Sequence, residues 1–276
     1  MTNNKKYYPW IVVALLWGVA LLNYMDRQML STMKSAMMID ITELESATNF
    51  GRLMAVFLWI YGLMSPVAGM IADRINRKWL IVGSLFVWSF VTLMMGYSTD
   101  FNQIYILRAI MGVSEALYIP AGLSLITDYH QEKTRSLAVG IHMTGLYTGQ
   151  ALGGFGATIA GAYSWETTFH WFGIIGIAYS LVLILFLKEK KDHTVAKLEP
   201  EPGPKESPAK AAIKGMGMLF VNISFWIILL YFATSSLPGW ATKTGCRLCF
   251  RRICPSICRK PGHCPPSRSR SLPSSE

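Results

Sequence analysis

Between residues 10 and 187 the sequence repeats one pattern six times: an apolar run long enough to cross a bilayer, then a short polar turn. About 20 residues of helix span the hydrocarbon core. Only helices and closed barrels can satisfy their backbone hydrogen bonds there. The runs are continuous rather than alternating, which selects helices. The chain is 52% hydrophobic and 15% charged, against roughly 25% charged residues in an ordinary soluble domain. An all-α membrane protein is therefore expected, with the lipid bilayer as its first partner. Nucleic acid is not an expected partner. No catalytic triad, phosphate-binding loop or haem site is evident, so neither an enzyme nor a cofactor is expected.

The expected spans begin with a first helix from Trp10 that carries Asn23, Tyr24, Asp26 and Arg27 part-way along. Either it ends near Tyr24 and these charges are its wet flank, or it continues toward Ile41 with the charges inside. The apolar run after Met29 favours the longer helix. Further spans are expected over residues 50–72, 79–97, 104–124, 137–162 and 168–187, with a seventh over 216–237. Gly145, Gly149 and Gly153, four residues apart, suit close approach of two helix backbones. Trp10, Trp79 and Trp165 stand at span ends as interfacial anchors. His142 is either a proton relay or a hydrogen-bonded interhelical side chain. His130 and His193 fall in turns and are expected to be solvated.

The fourth span carries Arg108 and Glu115. A charge at mid-membrane costs about 2.5–3.5 kcal/mol on insertion scales, so it persists where it is paired or faces a cavity. Seven residues turn a helix through about 700° and rise roughly 10 Å. Arg108 and Glu115 therefore share a face but stand too far apart for an ordinary ion pair, and something can fit between or beside them. That face is expected to line a polar pathway. Asp26 and Arg27 lie about 100° apart on their helix, so one can hold structure while the other faces the pathway.

Lys5, Lys6, Arg74, Arg77, Lys78, Lys133 and Arg135 fall on one side of these spans; Asp40, Glu43, Glu45, Asp100 and Glu166 fall on the other. Positive-inside counting places the N-terminus in the cytoplasm. The expected organisation is a six-helix bundle over residues 1–187, a Pro-, Lys- and Glu-rich cytoplasmic linker over 188–214, the start of a further half over 215–240, and an irregular tail over 241–276. All five cysteines lie in that tail, with eight basic residues against one acid, or +7 of the total +10. Cys246 and Cys249 have ligand-like spacing, with His263 and Cys264 nearby, but no second matching pair follows. A basic tail for phosphate or anionic lipid is a second reading. The abrupt change of composition after Trp240 favours a third, an aberrant ending such as a shifted reading frame.

The turn Gly69 to Lys78, with Asp73, Arg74, Arg77 and Lys78, resembles the G-x-x-x-D-R-x-x-R-K signature of the major facilitator superfamily. Arg108-x-x-x-Gly112-x-x-Glu115 resembles its fourth-helix motif, and Asp128 to Arg135 its matching turn after helix four. The resemblance covers about residues 8–190 and implies the N-terminal six-helix bundle, with Asp73 capping and the basic residues meeting helix ends. The remaining C-terminal half has no counterpart, so the polypeptide is expected to be truncated and not to transport by itself.

Asn23-Tyr24-Met25-Asp26-Arg27 with Tyr61, Arg108 and Glu115 looks like the anion:cation symporters of that superfamily. The resemblance implies proton-coupled transport of a small organic anion of the sugar-acid type through the plasma (inner) membrane. Arg27 would bind a substrate carboxylate, for which its fork is suited, with Tyr61 adding a hydrogen bond. Asp26 and Glu115 would carry protons, or sodium would take their place, and Arg108 would set how readily they do so. Gln150 is a further candidate facing the cavity. Residues 112–121 and the turn 73–78 also resemble spinster-type carriers of lysolipids or sphingolipid phosphates. Mutual neutralisation of the four charges in the bundle core is the purely structural alternative, and a membrane-anchored sensor or metal-binding protein the alternative of another class.

Overall fold

The computed structural model of the protein describes residues 4–189, 217 and 220–244. The chain divides into two units, one ending at Glu201 and one beginning at Pro202.

The first unit is built from α1 (Asn4–Thr32), α2 (Lys34–Asp40), a 3-10 turn (Thr42–Glu45), α3 (Ala47–Ala72), α4 (Arg77–Met95), α5 (Phe101–Tyr129), α6 (Glu132–Gly153), α7 (Gly156–Ala162) and α8 (Trp165–Phe186). No strand occurs among the described residues. At 29 residues each, α1 and α5 are about 44 Å long, longer than the hydrocarbon core. Among the described residues five helices are long and apolar enough to cross a membrane: Tyr7–Thr32 of α1, then α3, α4, α5 and α8. These features make it an all-α membrane protein. The sixth expected span is different. Residues 137–162 break at Gly154 and Phe155 into α6 and α7, and α6 carries charges in its first turns and Thr, His, Gln and Gly along its length.

Packing pairs α1 with α6, α3 with α5, and α4 with both α5 and α8. The glycine stripe explains the first pair. A Cβ at Gly145 would stand 2.7 Å from the Trp17 carbonyl oxygen, and one at Gly153 2.8 Å from that of Met25. Both are distances real Cβ atoms do not adopt, so the two backbones touch because these positions have no side chain. Val12, Leu16, Leu30, Trp88, Tyr118 and Phe169 fill the core.

Contacts at one end of the bundle join chain segments distant in sequence. The Tyr8 hydroxyl donates to the Phe186 carbonyl (2.9 Å), the Tyr129 hydroxyl to that of Lys188 (2.8 Å), and Lys78 Nζ to that of Ile184 (2.8 Å). The N-terminus, the turns after α3 and α5, and the end of α8 therefore share this end. At the other end Trp165 Nε1 donates to Asp40 (2.6 Å).

Several expectations are corrected. The first helix does contain its charges, but it stops at Thr32 and resumes at Lys34. The Thr32 hydroxyl donates to the carbonyls of Met29 and Gly153, a side-chain competition that bends helices. Trp165 is not an interfacial anchor: it is 3% exposed and held by Asp40. His130 is not solvated: it is buried, with ring nitrogens at 3.2 Å from Thr134 Oγ1 and 3.3 Å from the Pro9 carbonyl. α5 extends to Tyr129, so Asp128 is helical and the turn is His130 and Gln131.

In the second unit, α9 (Ile223–Thr244) occupies part of the expected seventh span and extends past its expected end. The expected linker from residue 190 onward and all five tail cysteines lie outside the described residues.

Candidate functional site

α5 presents Arg108 and Glu115, and both are buried, at 2% and 0% exposure. They do not pair with each other. Glu115 Oε2 instead accepts a hydrogen bond from Arg27 Nε of α1 at 2.6 Å. Helix geometry forces this choice: seven residues separate the two groups on one rod by roughly 10 Å, while α1 lies alongside. The Arg27 side chain keeps 18% of its surface exposed whereas that of Glu115 keeps none. One partner thus reaches toward the surface of the bundle and the other is sealed within it.

Aromatic rings enclose Arg27. Its guanidinium carbon lies 4.6 Å from the ring centroid of Tyr61, and 5.0 Å from those of Tyr24 and Phe57. Tyr61 thus offers Arg27 the face of its ring. Arg108 lies 4.5 Å from the centroid of the same Phe57 and donates to Met111 Sδ at 2.9 Å. Each such cation–ring contact contributes about 0.5–2 kcal/mol, more as water is removed. Arg108 makes no ion pair among the described residues.

Asp26 points away from Arg27, as their 100° separation requires. It is buried and accepts a long hydrogen bond from Thr92 of α4, at 3.4 Å. Asn23 is fully buried, and neither its amide oxygen nor its amide nitrogen has a protein partner. The same holds for Arg27 Nη2, Arg108 Nε and Glu115 Oε1. Leaving a buried polar atom unpaired costs about 1–3 kcal/mol. Unpaired atoms concentrated around two cations and two carboxylates mark a polar site rather than a packed core. The quartet is formally neutral, so one added carboxylate would leave it at −1.

The expected pathway residues Asp26, Arg27, Tyr61, Arg108 and Glu115 are thus brought into one cluster. Gln150 is half-buried on α6 and makes no hydrogen bond to that cluster among the described residues. His142 is buried between helices, against the Leu16 backbone of α1 and with its ring 6.0 Å from that of Tyr118. Phe57 and Thr92 were not singled out by sequence. Phe57 stands one helical turn before Tyr61, and that spacing was the available signal.

The basic turn is built differently. Arg77 pairs with Asp128 across α4 and α5, and Lys78 reaches the end of α8. Asp73, Arg74 and Arg135 are exposed. Asp73 is the C-cap residue of α3, while Asn76 caps α4, accepting from the Trp79 backbone N–H at 3.2 Å. The Gly69 carbonyl accepts from the Asp73 backbone N–H and closes α3.

Among known proteins, the sequence profile of the Major Facilitator Superfamily matches residues 16–245. The hexuronate transporter of Bacillus subtilis (strain 168) is 28% identical over 240 residues, covering 84% of this chain and 56% of that protein. Protein spinster homolog 1 of Rattus norvegicus is 28% identical over 256 residues, covering 87% and 46%. A crystal structure of a bacterial homolog of the human lysosomal transporter Spinster, inward-facing and occupied, superposes with a TM-score of 0.59 at 26% identity, covering 66% of this chain and 45% of that one. The chain spans about half the length of the curated relatives it matches.

Proposed function

The chain belongs to the Major Facilitator Superfamily, and on that footing we propose that its buried charge cluster is half of the binding site of a carrier for small organic anions, sugar acids foremost. The observation that carries this reading is the Arg27–Glu115 pair, sealed on its acid side and open on its basic side. A substrate carboxylate arriving at Arg27 competes with Glu115 for the same guanidinium. Arg suits that role because its planar fork meets a carboxylate in two hydrogen bonds. The Tyr24 and Tyr61 rings hold the fork in place.

Charge counting supplies the coupling. The quartet starts neutral, the substrate brings −1, and a proton or a sodium ion on the released acid restores balance. Such a site works by alternating access when two six-helix bundles rock about it, and this unit provides one of them. The basic residues Arg74, Arg77, Lys78, Lys133 and Arg135 in the turns at the end that holds the N-terminus support its cytoplasmic placement by positive-inside counting.

The test is binding of radiolabelled D-glucuronate to the purified chain in lipid nanodiscs. Saturable binding, displaced by galacturonate but not by glucose and weakened at least about tenfold (~1.4 kcal/mol) by Arg27→Ala, is expected. Absence of binding, or binding indifferent to that substitution, rejects the reading. A spinster-like lysolipid substrate is favoured by one observation: α3, which carries Tyr61, also exposes Trp59 and Leu63 around an apolar groove of about 440 Å³. Displacement of glucuronate by lysophosphatidate would select it.

A further inference from the structure

An apolar groove of about 580 Å³ runs between α4 and α5. Trp79, Gly83 and Val87 form one wall, and Ile110, Val113 and Leu117 the other. At 100° per residue, the α5 set stands about 140–200° round its rod from Arg108. The groove therefore belongs to the outer face of α5 and not to the charge cluster. Trp79, Val87, Ile110 and Val113 are exposed along it. Ser84 and Ser114 also line it, but their hydroxyls donate to their own helices, to the carbonyls of Ile81 (2.9 Å) and Met111 (3.0 Å). What the groove offers is hydrocarbon. Gly83 opens it: a Cβ there would meet nothing within 4 Å, unlike one at Gly145 or Gly153. No neighbouring helix uses this glycine for close approach, and its missing side chain leaves room facing outward.

One end of the groove is charged. Lys78 Nζ stands 5.5 Å from the ring centroid of Trp79 while it donates to the Ile184 carbonyl. An ammonium has three donors, so an anion can join that carbonyl. Arg77 next to it is committed to Asp128. From Trp79 to Val87 the groove follows α4 for eight residues, roughly 12 Å, within one half of a hydrocarbon core about 30 Å thick. Trp79 has the amphipathic ring suited to the headgroup level. A cation at the surface, an indole below it and an apolar slot one leaflet deep match the outline of a phospholipid.

We propose that the α4–α5 groove binds one anionic phospholipid, with an acyl chain laid over Gly83 and the phosphate at Lys78. Charge separates this lipid from the bulk bilayer. A zwitterionic headgroup brings its own ammonium to its phosphate, whereas an anionic one leaves a net charge for Lys78. The site needs no transported substrate and stands apart from the organic-anion reading.

The test uses the full chain, delipidated in detergent and titrated with dioleoylphosphatidylglycerol or dioleoylphosphatidylcholine, with bound lipid counted by native mass spectrometry. The first phosphatidylglycerol is expected to bind about fivefold more tightly than phosphatidylcholine, the worth of one basic side chain at an anionic surface. Lys78→Gln is expected to abolish that preference and Lys78→Arg to keep it. Gly83→Leu plugs the groove without touching another helix. It is expected to weaken the first phosphatidylglycerol at least about tenfold, the loss of two buried methylenes. Gly140→Leu, at an equally open position on α6, is expected to change nothing. Equal affinity for the two lipids, a preference that survives Lys78→Gln, or unaltered binding in Gly83→Leu each overturns the proposal.

Two further measurements fix the ligand and the place. Glycerophosphoglycerol, the same headgroup without acyl chains, is expected not to displace the lipid at equal concentration; displacement would overturn the lipid in favour of a bare phosphate site. Phosphatidylglycerol with a photoreactive acyl chain is expected to label residues 79–87 and 110–117. Label spread evenly over the other spans would overturn the placement.

Discussion

Two sets of charges in this protein use the same residue types to opposite ends. At the end of the bundle, Arg77 meets Asp128, and Lys78 donates to a helix-terminal carbonyl. These groups lie partly in water, and the pair fastens α4 to α5. At mid-bundle, Arg27 meets a Glu115 that is wholly sealed from solvent, while Arg108, Asn23 and Glu115 keep unpaired polar atoms. Desolvating two ions costs several kcal/mol each, which the pair recovers only with good geometry and further hydrogen bonds. The end pair is therefore a fastening, and the inner cluster is a costly arrangement whose open valences suit a ligand.

The largest expected effect comes from removing the inner acid. Glu115→Leu removes the acid paired with Arg27, leaves two cations against Asp26 alone, and should destabilise by about 3–5 kcal/mol in SDS-titration unfolding. The double change Arg27→Met with Glu115→Leu should recover most of that loss. A cost below about 1 kcal/mol for the single change would put the cluster on a level with a surface pair. Next in size is Gly149→Leu, which forces α1 from α6 against the Leu21 backbone. Overpacking of this kind costs about 1–3 kcal/mol, and it should disturb Arg27 while leaving the Arg77–Asp128 contact in place, as a cysteine cross-link at each site would report.

Arg77→Ala should cost about 1 kcal/mol, and that cost should shrink between 0.1 and 1 M KCl. Screening reaches partly exposed pairs far more than buried ones, so the Glu115→Leu cost should not respond to salt. The smallest effect belongs to Arg74→Ala, within about 0.5 kcal/mol, because Arg74 is exposed. A larger loss there would give the turn a role beyond fastening.

Much of the fold was legible because hydropathy and length act locally. The spans on α3, α4, α5 and α8 follow from apolar runs between charged turns. The break in residues 137–162 was not legible, since glycines that permit close approach also permit a bend, and the choice rests on where Thr32 meets Gly153. The burial of Trp165 and His130 was missed for a related reason. Asp40 and the Pro9 carbonyl, their partners, come from the far end of the sequence. Within the site, the charged residues announced themselves by sitting in apolar surroundings. Phe57 offered only its place one turn before Tyr61, because a phenylalanine in an apolar helix does not itself declare the cations it will meet.

By itself the sequence determined that long helices cross a bilayer, that Arg108 and Glu115 lie within one of them, and that these two share a face without touching. Those are properties of a single rod, set by its rise and turn. Only the tertiary structure decided that Glu115 takes its partner from α1, that Arg108 takes a ring from α3, and that Asp26 turns to Thr92. Each depends on which helices lie side by side, and that is settled by backbone contacts at glycines such as Gly112 and Gly145, where the absence of a side chain lets one helix approach another.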